Sequence, residues 1–290
     1  MDPTSSKGSI VIENEREEKM KYSSGPLVGK GRTADVHAAG DQVVKLFHKN
    51  LDPSLCRREY LANQVANQFK AQAPQVFGQV EEEGRMGILM EHLPGHTLTQ
   101  LLMENPDQCA LLAKRMAQAH LSIHRAQTED LVNDKDFFAK RLERVKDLTP
   151  GEKDAVLTHI NGLPQGISLC HGDLHPDNVL ATEDQMWVID WMNGYSGHPA
   201  GDVARTYYLL GTPFSRTMIP KEMWSLVDQV TTLFKTTYLE EYLAHSPVAL
   251  EEVETYKLPV LVNRLLEEVP KEKDWLLGMI HEELTKLRKG

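Results

Sequence analysis

Two kinds of hydrophobic pattern divide the chain. In the first part, short apolar runs at residues 27–28, 43–47, 75–80 and 86–90 are separated by turns that contain Gly, Pro and Asp. Runs of this kind predict β-strands. From residue 98 onward, apolar side chains recur at roughly helical spacing, which predicts amphipathic helices. The pattern therefore predicts a small sheet followed by a mainly helical region.

Several helices can be placed individually. Asp52-Pro53-Ser54 resembles a helix start, and residues 55–69 continue it with apolar side chains at helical spacing. Residues 98–123 form two amphipathic segments separated by Asn105-Pro106, because proline interrupts a helix interior. Further amphipathic helices are predicted at residues 137–148 and 154–160.

The strand at residues 86–90 ends in Glu91-His92-Leu93-Pro94-Gly95, a sequence suited to a hinge between two lobes. We therefore expect an N-terminal lobe over residues 21–93 and a helical C-terminal lobe over residues 94–290. Residues 1–20 are polar and charged, and we expect them to be disordered or peripheral.

A polar stretch interrupts the helical region. It reads His171-Gly172-Asp173-Leu174-His175-Pro176-Asp177-Asn178 and lies between short apolar segments. After it, residues 179–180 and 187–189 flank a turn at Glu183-Asp184-Gln185, and the second of these segments ends at Asp190. This arrangement predicts a loop that presents polar side chains from a frame of short strands.

Two chemistries could use this loop. In an extended strand, four of its side chains would alternate onto one face as ligands for a transition metal. These are His171, Asp173, His175 and Asp177. Gly172 and Pro176 disfavour a regular strand. In a loop, Asp173, Asn178 and Asp190 match the catalytic aspartate, asparagine and metal-binding aspartate of kinase-type phosphoryl transfer, so we favour that interpretation.

The sequence HGDLHPDN followed by VID resembles the aminoglycoside phosphotransferase and choline kinase-like family, relatives of protein kinases that phosphorylate small molecules. Protein kinases carry arginine where Gly172 stands, and Trp191 replaces their Phe-Gly, which favours the small-molecule branch. The resemblance implies an α+β, two-lobed protein-kinase-like fold. Its small antiparallel-sheet N-terminal lobe would contain one helix, and its larger C-terminal lobe would be mostly helical.

The resemblance also implies an activity. The protein would transfer the γ-phosphoryl group of ATP, or of GTP as an alternative, to a hydroxyl of a small molecule that is aminoglycoside-like, an amino alcohol or a sugar. Asp173 would be the catalytic base, and Asn178 and Asp190 would bind Mg²⁺ as hard oxygen ligands. His171 would brace the loop, and His175 would line the acceptor site or pack.

Candidate nucleotide-binding residues lie in the first lobe. Gly29 and Gly31 leave backbone N–H groups accessible to phosphate oxygens, although Ala34 stands where protein kinases have a third glycine. Lys45 follows an apolar pair in a strand and would direct its ammonium at the α- and β-phosphates. By resemblance, Glu59 is the glutamate that pairs with this lysine.

The hinge and the following helices supply further candidates. The carbonyl of Glu91 and the N–H of Leu93 can pair with adenine edges as acceptor and donor. Asp202 is predicted to cap a buried helix and, by resemblance, to bond the backbone of the catalytic loop from beneath. His120 and His124 have metal-ligand spacing, but without a third ligand in the motif we favour core histidines.

Charge and composition narrow the partners. The net charge of −10 disfavours nucleic acid and anionic membranes and would suit a cationic acceptor, although solubility alone also explains it. The three cysteines show no CxxC spacing, and neither a signal peptide nor a long apolar stretch is present, so we expect a soluble, cytoplasmic protein. The oligomeric state is left open.

Two other classes compete with a small-molecule kinase. A non-catalytic, kinase-like nucleotide-binding module is the first, and the joint presence of Lys45, Asp173, Asn178 and Asp190 speaks against it. A metal-dependent hydrolase built on the His/Asp loop is the second, and it would bind zinc or manganese without nucleotide.

Overall fold

The computed structural model describes residues 21–212, 219–269 and 271–289. The segment predicted to be disordered or peripheral, residues 1–20, lies outside the described residues. Within the described ranges, no helix combines the length and apolar character that crossing a membrane requires.

A five-stranded antiparallel sheet forms the N-terminal part, in the order β1-β2-β3-β5-β4. Its strands are β1 (Leu27–Lys30), β2 (Ala34–Ala39), β3 (Gln42–Phe47), β4 (Val76–Glu82) and β5 (Arg85–Glu91). Strands β2 and β3 join through a tight turn at Gly40, whose φ of 70° favours glycine. Lys45 lies in β3 opposite Ile88 of β5, so a central strand holds the lysine backbone.

One helix, α1 (Ser54–Gln68), connects β3 to β4. Its Cys56 packs in the small hydrophobic core beneath the sheet, whereas Ala62 and Val65 belong to the large core of the C-terminal part. A Cβ at Gly194 would lie 2.8 Å from the Cβ of Ala62, so the helix packs closely against the turn that follows Asp190. Helix α1 therefore joins the two parts next to the candidate site.

The C-terminal part is largely helical, and its helices share one large hydrophobic core. They are α2 (Leu98–Glu104), α3 (Cys109–His124), α4 (Asp134–Arg144), α5 (Pro150–Asn161), α6 (Pro199–Leu209), α7 (Trp224–Ala244), α8 (Leu250–Thr255), α9 (Lys257–Leu265) and α10 (Lys273–Leu287). Helix α3 packs on α7, and α9 packs on α6 and α10.

Two helices begin earlier than their apolar patterns predict, because polar caps set their starts. Helix α4 begins at Asp134, since the side chain of Asn133 accepts a hydrogen bond from the Asp136 N–H. Helix α5 begins at Pro150, since Thr149 and Glu152 form a capping box around the first turn.

Short strands frame the polar loop. Strand β7 (Ser168–Cys170) leads into it and pairs with β10 (Tyr195–Gly197). Strands β8 (Val179–Ala181) and β9 (Met186–Val188) follow it, and β6 (His96–Thr97) pairs with β8. The predicted α+β architecture is confirmed: a small antiparallel sheet with one helix is followed by a largely helical part.

Candidate active site

Lys45 brings together groups from three distant parts of the chain. Its Nζ lies 2.7 and 2.8 Å from the carboxylate oxygens of Glu59 on α1. The same Nζ lies 3.1 Å from Oδ1 of Asp190, which comes two residues after β9. The predicted pair between Lys45 and Glu59 is therefore present, and Asp190 joins it.

The charges in this cluster do not balance. Burial opposes ionisation of Lys45, but Asp190 and Glu59 outweigh it and raise the pKa of the lysine above its usual value. Burial, together with the nearby Asp190, raises the pKa of Glu59 to about 7 against the opposing effect of Lys45. One ammonium thus faces two carboxyl groups, of which Glu59 is only partly ionised near pH 7, so the cluster carries a partial excess of negative charge.

Asp190 has an unusual backbone conformation. Its φ of 65° and ψ of 61° lie in the left-handed region, which aspartate tolerates better than most residues do. A short 3₁₀ turn at Trp191–Asn193 follows it, and the Trp191 indole N–H donates to the Val188 carbonyl at 2.9 Å. This turn fixes the Asp190 side chain at the end of β9.

The catalytic loop requires glycine at position 172. Gly172 has a φ of 76°, and a Cβ there would lie 2.3 Å from the carbonyl oxygen of Asn193. Any side chain would therefore be strained and would clash with the turn after Asp190. The close approach of these two backbones places Asp173 next to the segment that carries Asp190.

Asp202 supports the loop from beneath, as predicted. Its carboxylate accepts hydrogen bonds from the backbone N–H groups of His171 and Gly172 at 2.5 and 2.8 Å. The prediction that it caps its helix is wrong. Helix α6 begins at Pro199, and the ring of His198 is the cap, so Asp202 lies one turn inside the helix.

Two buried histidines complete the support. His120 and His124 each place Nε2 on Oδ2 of Asp202, at 3.0 and 3.2 Å. Their Nδ1 atoms lie 2.7 and 2.6 Å from the hydroxyls of Tyr238 and Tyr242. Across the described residues, His120, His124 and Asp202 are also the one group of His, Cys, Asp or Glu side chains that could hold a metal. Both nitrogens of each histidine ring already have hydrogen-bond partners, however. They form a hydrogen-bonded core network, as favoured from the sequence.

Asp173 is paired with an arginine that the sequence interpretation did not include. The Nη2 atom of Arg205 on α6 lies 2.9 Å from Oδ1 of Asp173 and also bonds Glu267. Burial opposes ionisation of Asp173, but the charges of Arg205 and His175 outweigh it and hold the pKa of that carboxyl below its usual range. Asp173 is therefore ionised across the physiological pH range.

The signal for Arg205 was present in the sequence. It stands inside an apolar run that predicts a buried helix, and its side chain is only 2% exposed. A buried arginine is costly unless it is paired, so its position implies acidic partners. Nothing local identifies those partners, because Asp173 and Glu267 lie 32 and 62 residues away in the chain.

Backbone hydrogen bonding brings together the two residues predicted to bind magnesium, Asn178 and Asp190. The Asn178 amide donates to the Asp173 carbonyl at 2.9 Å, and the Asn178 carbonyl accepts from the Ile189 N–H, next to Asp190. Amide and carboxylate oxygens are the hard donors that Mg²⁺ prefers. Among the described residues, the hydrogen bonds of Asp190 involve only Oδ1, so the donor set fits a cation.

The alternative metal site on the loop is not assembled. Both ring nitrogens of His171 are engaged, with the Ile189 carbonyl at 3.0 Å and the Asp173 N–H at 3.3 Å. Asp173 itself faces Arg205. Over the described residues, the loop side chains therefore do not converge as a shared ligand set.

The remaining nucleotide candidates lie along the sheet edge and its end. Gly29 is in β1 and Gly31 follows it, but the Gly31 N–H donates to the Ala34 carbonyl at 2.8 Å. That donor would have to be released before it could bind a phosphate oxygen. Glu91 ends β5, and Leu93 is buried just beyond it, where the sheet meets the helical part. Their roles stay predictions.

The α+β fold is kinase-like, and Lys45, Glu59 and Asp190 meet beside the loop that carries Asp173 and Asn178. The chain belongs to the phosphotransferase enzyme family, whose model matches residues 29–223. Comparison with curated proteins finds no significant match.

Solved structures share the fold at low sequence identity. A thermostable mutant of aminoglycoside phosphotransferase APH(4)-Ia, in a ternary complex with AMP-PNP and hygromycin B, matches with a TM-score of 0.61 and 17% identity, covering 91% of this chain and 93% of that one. A choline/ethanolamine kinase family protein from Mesorhizobium loti matches at 0.58 and 17%, covering 93% and 90%. Choline kinase LicA from Streptococcus pneumoniae matches at 0.57 and 15%, covering 92% and 93%.

Proposed function

We propose that the protein is an ATP-dependent kinase that transfers the γ-phosphoryl group to a hydroxyl of a small molecule. The observation that carries the proposal is the ion-paired cluster of Lys45, Glu59 and Asp190, drawn from strand, helix and loop. It stands beside a loop that presents an ionised Asp173. Phosphoryl transfer requires this combination, because its loose transition state depends mainly on positioning and charge.

Each group has a role in the proposal. Lys45 holds the α- and β-phosphates, and Glu59 holds Lys45 in place before nucleotide binds. Asn178 and Asp190 would hold Mg²⁺, and the bound cation would neutralise phosphate charge. The excess negative charge of the lysine cluster favours such a cation.

Asp173 orients the acceptor hydroxyl and accepts its proton late in transfer. Its lowered pKa makes it a weak base, so alignment of the hydroxyl is its larger contribution. Asp202 keeps the loop in place through two backbone hydrogen bonds. A loose transition state suits a weak base, because little negative charge has to develop on the hydroxyl before the phosphoryl group leaves ADP.

Two of the matched structures add support. The APH(4)-Ia complex holds AMP-PNP and hygromycin B, and the streptococcal relative is a choline kinase. We infer the same reaction class for this chain, with a small hydroxyl compound as acceptor, while its identity and the choice between ATP and GTP stay open to experiment.

The test is an acceptor screen with the full chain. ATP and Mg²⁺ are incubated with a panel of sugars, amino alcohols, aminoglycosides and hydroxy acids, and phosphorylated product is identified by mass spectrometry. We expect ADP formation that depends on the acceptor. Nucleotide binding without turnover on any acceptor would favour a binding module, and substrate hydrolysis that needs zinc or manganese but no nucleotide would favour a hydrolase.

A further inference from the structure

Two arginines contact the turn that follows Asp190, and a third lies one turn further along the helix that carries one of them. Arg58 on α1 donates from Nη2 to the Met192 carbonyl at 3.2 Å. Arg141 on α4 donates from Nη1 to Oδ1 of Asn193 at 3.2 Å and from Nε to Oδ1 of Asn263. Arg144, one turn further along α4, is close enough to lower the pKa of Arg58. We name Arg58, Arg141 and Arg144 the arginine cluster.

The cluster lies next to the catalytic loop. Arg141 holds the side chain of Asn193, and the Asn193 carbonyl is the atom that a Cβ at Gly172 would strike at 2.3 Å. Gly172 directly precedes Asp173. Arg141 is therefore linked, through Asn193, to the loop that carries the proposed base.

The cluster lacks compensating charge. Among the described residues, no member of it has a carboxylate within ion-pair distance. Burial and then Arg144 lower the pKa of Arg58, with no acidic group opposing. Burial, and after it Arg205, lowers the pKa of Arg141 to about 10, against a partial opposing effect of Glu267. The arginines thus repel one another while remaining charged at neutral pH.

Two other partly buried arginines of the fold have carboxylate partners, whereas Arg115 bonds, within the described residues, only the carbonyls of Thr182 and Gln185. Arg85 bonds Asp35 at 3.0 Å, and Arg264 bonds Glu272 at 2.7 Å and Glu267 at 2.7 Å. Partly buried cations that are left unpaired destabilise a fold, because they lose solvation without gaining a counter-charge. The unpaired cluster beside the proposed base is therefore best explained by an anion that binds there.

We propose that the arginine cluster binds an anionic group, a carboxylate or a phosphate, on the acceptor molecule. This inference rests on the proposed kinase function and specifies its substrate class. Guanidinium forks match the geometry of both anions and bind them through charge-assisted hydrogen bonds. The positive charge of the arginine cluster thus favours an anionic acceptor, whereas the net charge of −10 would suit a cationic one.

The test measures anion binding directly. Sulfate is titrated into the full chain by calorimetry with AMP-PNP and Mg²⁺ present, so that the phosphate positions of the nucleotide are filled. We expect saturable sulfate binding that weakens about tenfold or more in Arg141→Gln and in Arg144→Gln. Arg144 is exposed, so its variant should fold even if Arg141→Gln does not.

Matched controls are available on the same two helices. Arg57 on α1 and Lys140 on α4 are exposed neighbours of the cluster, and Arg57→Gln and Lys140→Gln should bind sulfate as the wild type does. No saturable sulfate binding, or equal weakening in Arg144→Gln and in both controls, would overturn the inference.

A second measurement connects anion binding with phosphoryl transfer. Glycerol, glycerate and glycerol 3-phosphate, or glucose and gluconate, are compared as acceptors. We expect at least tenfold higher kcat/KM for the anionic members, and loss of that preference in Arg144→Gln with the KM for ATP unchanged. A preference for neutral or cationic acceptors would contradict the anion-binding inference but leave the proposed kinase function standing. Loss of nucleotide binding with sulfate binding intact would contradict the proposed kinase function but not the anion site.

Discussion

The two ends of the candidate site differ in the charge that surrounds their central ion pair. At the nucleotide end, one ammonium on Lys45 faces the carboxylates of Glu59 and Asp190. At the proposed acceptor end, the guanidinium of Arg205 faces the carboxylates of Asp173 and Glu267, and the arginine cluster beyond the adjoining turn adds positive charge. The first end has excess negative charge and the second has excess positive charge.

This difference indicates what each end binds. A Mg²⁺-nucleotide complex would bring a second cation to Asp190 beside Lys45, so it would complete the proposed nucleotide end. An anionic acceptor would complete the other end. A uniformly negative surface potential, as the net charge of −10 alone suggests, would favour cations at both ends. Local pairing is therefore more informative about ligands than net charge is.

The largest effect is expected for Asp173→Asn, which keeps the shape of the side chain but removes the ionised acceptor. We expect transfer to fall about a thousandfold, as loss of a positioned base does, while nucleotide affinity holds because the nucleotide end is unchanged. The measurements are product formation under saturating ATP and a nucleotide titration. Asp184→Asn, in the exposed turn between β8 and β9, is the control that should retain full activity. Undiminished transfer by the Asp173 variant would place the base elsewhere.

A smaller loss is expected for Lys45→Met. The variant should lose about a hundredfold in kcat/KM for ATP, since a preorganised positive charge on the phosphates is removed. Steady-state kinetics with varied ATP measures the effect. Lys49→Met, an exposed lysine after the same strand, should behave as the wild type.

Adding Glu59→Gln sharpens this comparison. If Glu59 acts through Lys45, the double variant should be no worse than Lys45→Met alone. Additive losses would show that Glu59 has an independent role, and an unchanged KM and kcat in Lys45→Met would remove the lysine from the nucleotide site.

The nucleotide end was predictable from the sequence because its groups belong to patterns with local meaning. Lys45 ends an apolar pair in a strand, Glu59 lies early in the next helix, and Asp190 follows a strand directly. Strand and helix periodicity placed the elements, and the resemblance supplied the pairing. The left-handed backbone of Asp190 could not be predicted, since aspartate is compatible with several turn conformations.

The acceptor end was predicted only in part. The loop from His171 to Asn178 and the support from Asp202 followed from the motif. Arg205 and the arginine cluster did not, because each contacts a residue tens of positions away, as Arg141 does with Asn193. The start of α6 was misplaced at Asp202, since its real cap, His198 followed by proline, is a less common signal than a capping aspartate.

Beneath the acceptor end, His124 is expected to make the fold sensitive to acid. Burial, aided by the charge of His120, lowers the pKa of His124 to about 4, against the opposing effect of Asp202. Below pH 6.5 the unfolded chain binds a proton that the folded chain does not, so stability falls as pH drops from 6.5 toward 4. From pH 7 to pH 5 the loss assigned to this residue is about 2 kcal/mol.

Urea unfolding at pH 7 and pH 5 measures this loss. His124→Gln should be less stable at pH 7 but should lose about 2 kcal/mol less between the two pH values than the wild type. His92→Gln, at an exposed position, should match the pH dependence of the wild type. Equal pH dependence in all three proteins would show that His124 is not held neutral by the fold.

The smallest effect is expected at Arg205, and it tests the sign of the charge at the acceptor end. In Arg205→Met, burial of Asp173 is no longer outweighed by the arginine, so the pKa of that carboxyl should rise. The activity (kcat/KM) should then fall off on the acid side, in an acid limb at a pH closer to neutral than in the wild type. Transfer at pH 8 should fall by about tenfold or less, because Asp173 is still ionised there. Arg205→Lys, which keeps the charge without the fork, should remove the acid limb while only partly restoring the rate. An unshifted acid limb in Arg205→Met would mean that Arg205 braces Glu267 and the fold without controlling the ionisation of Asp173.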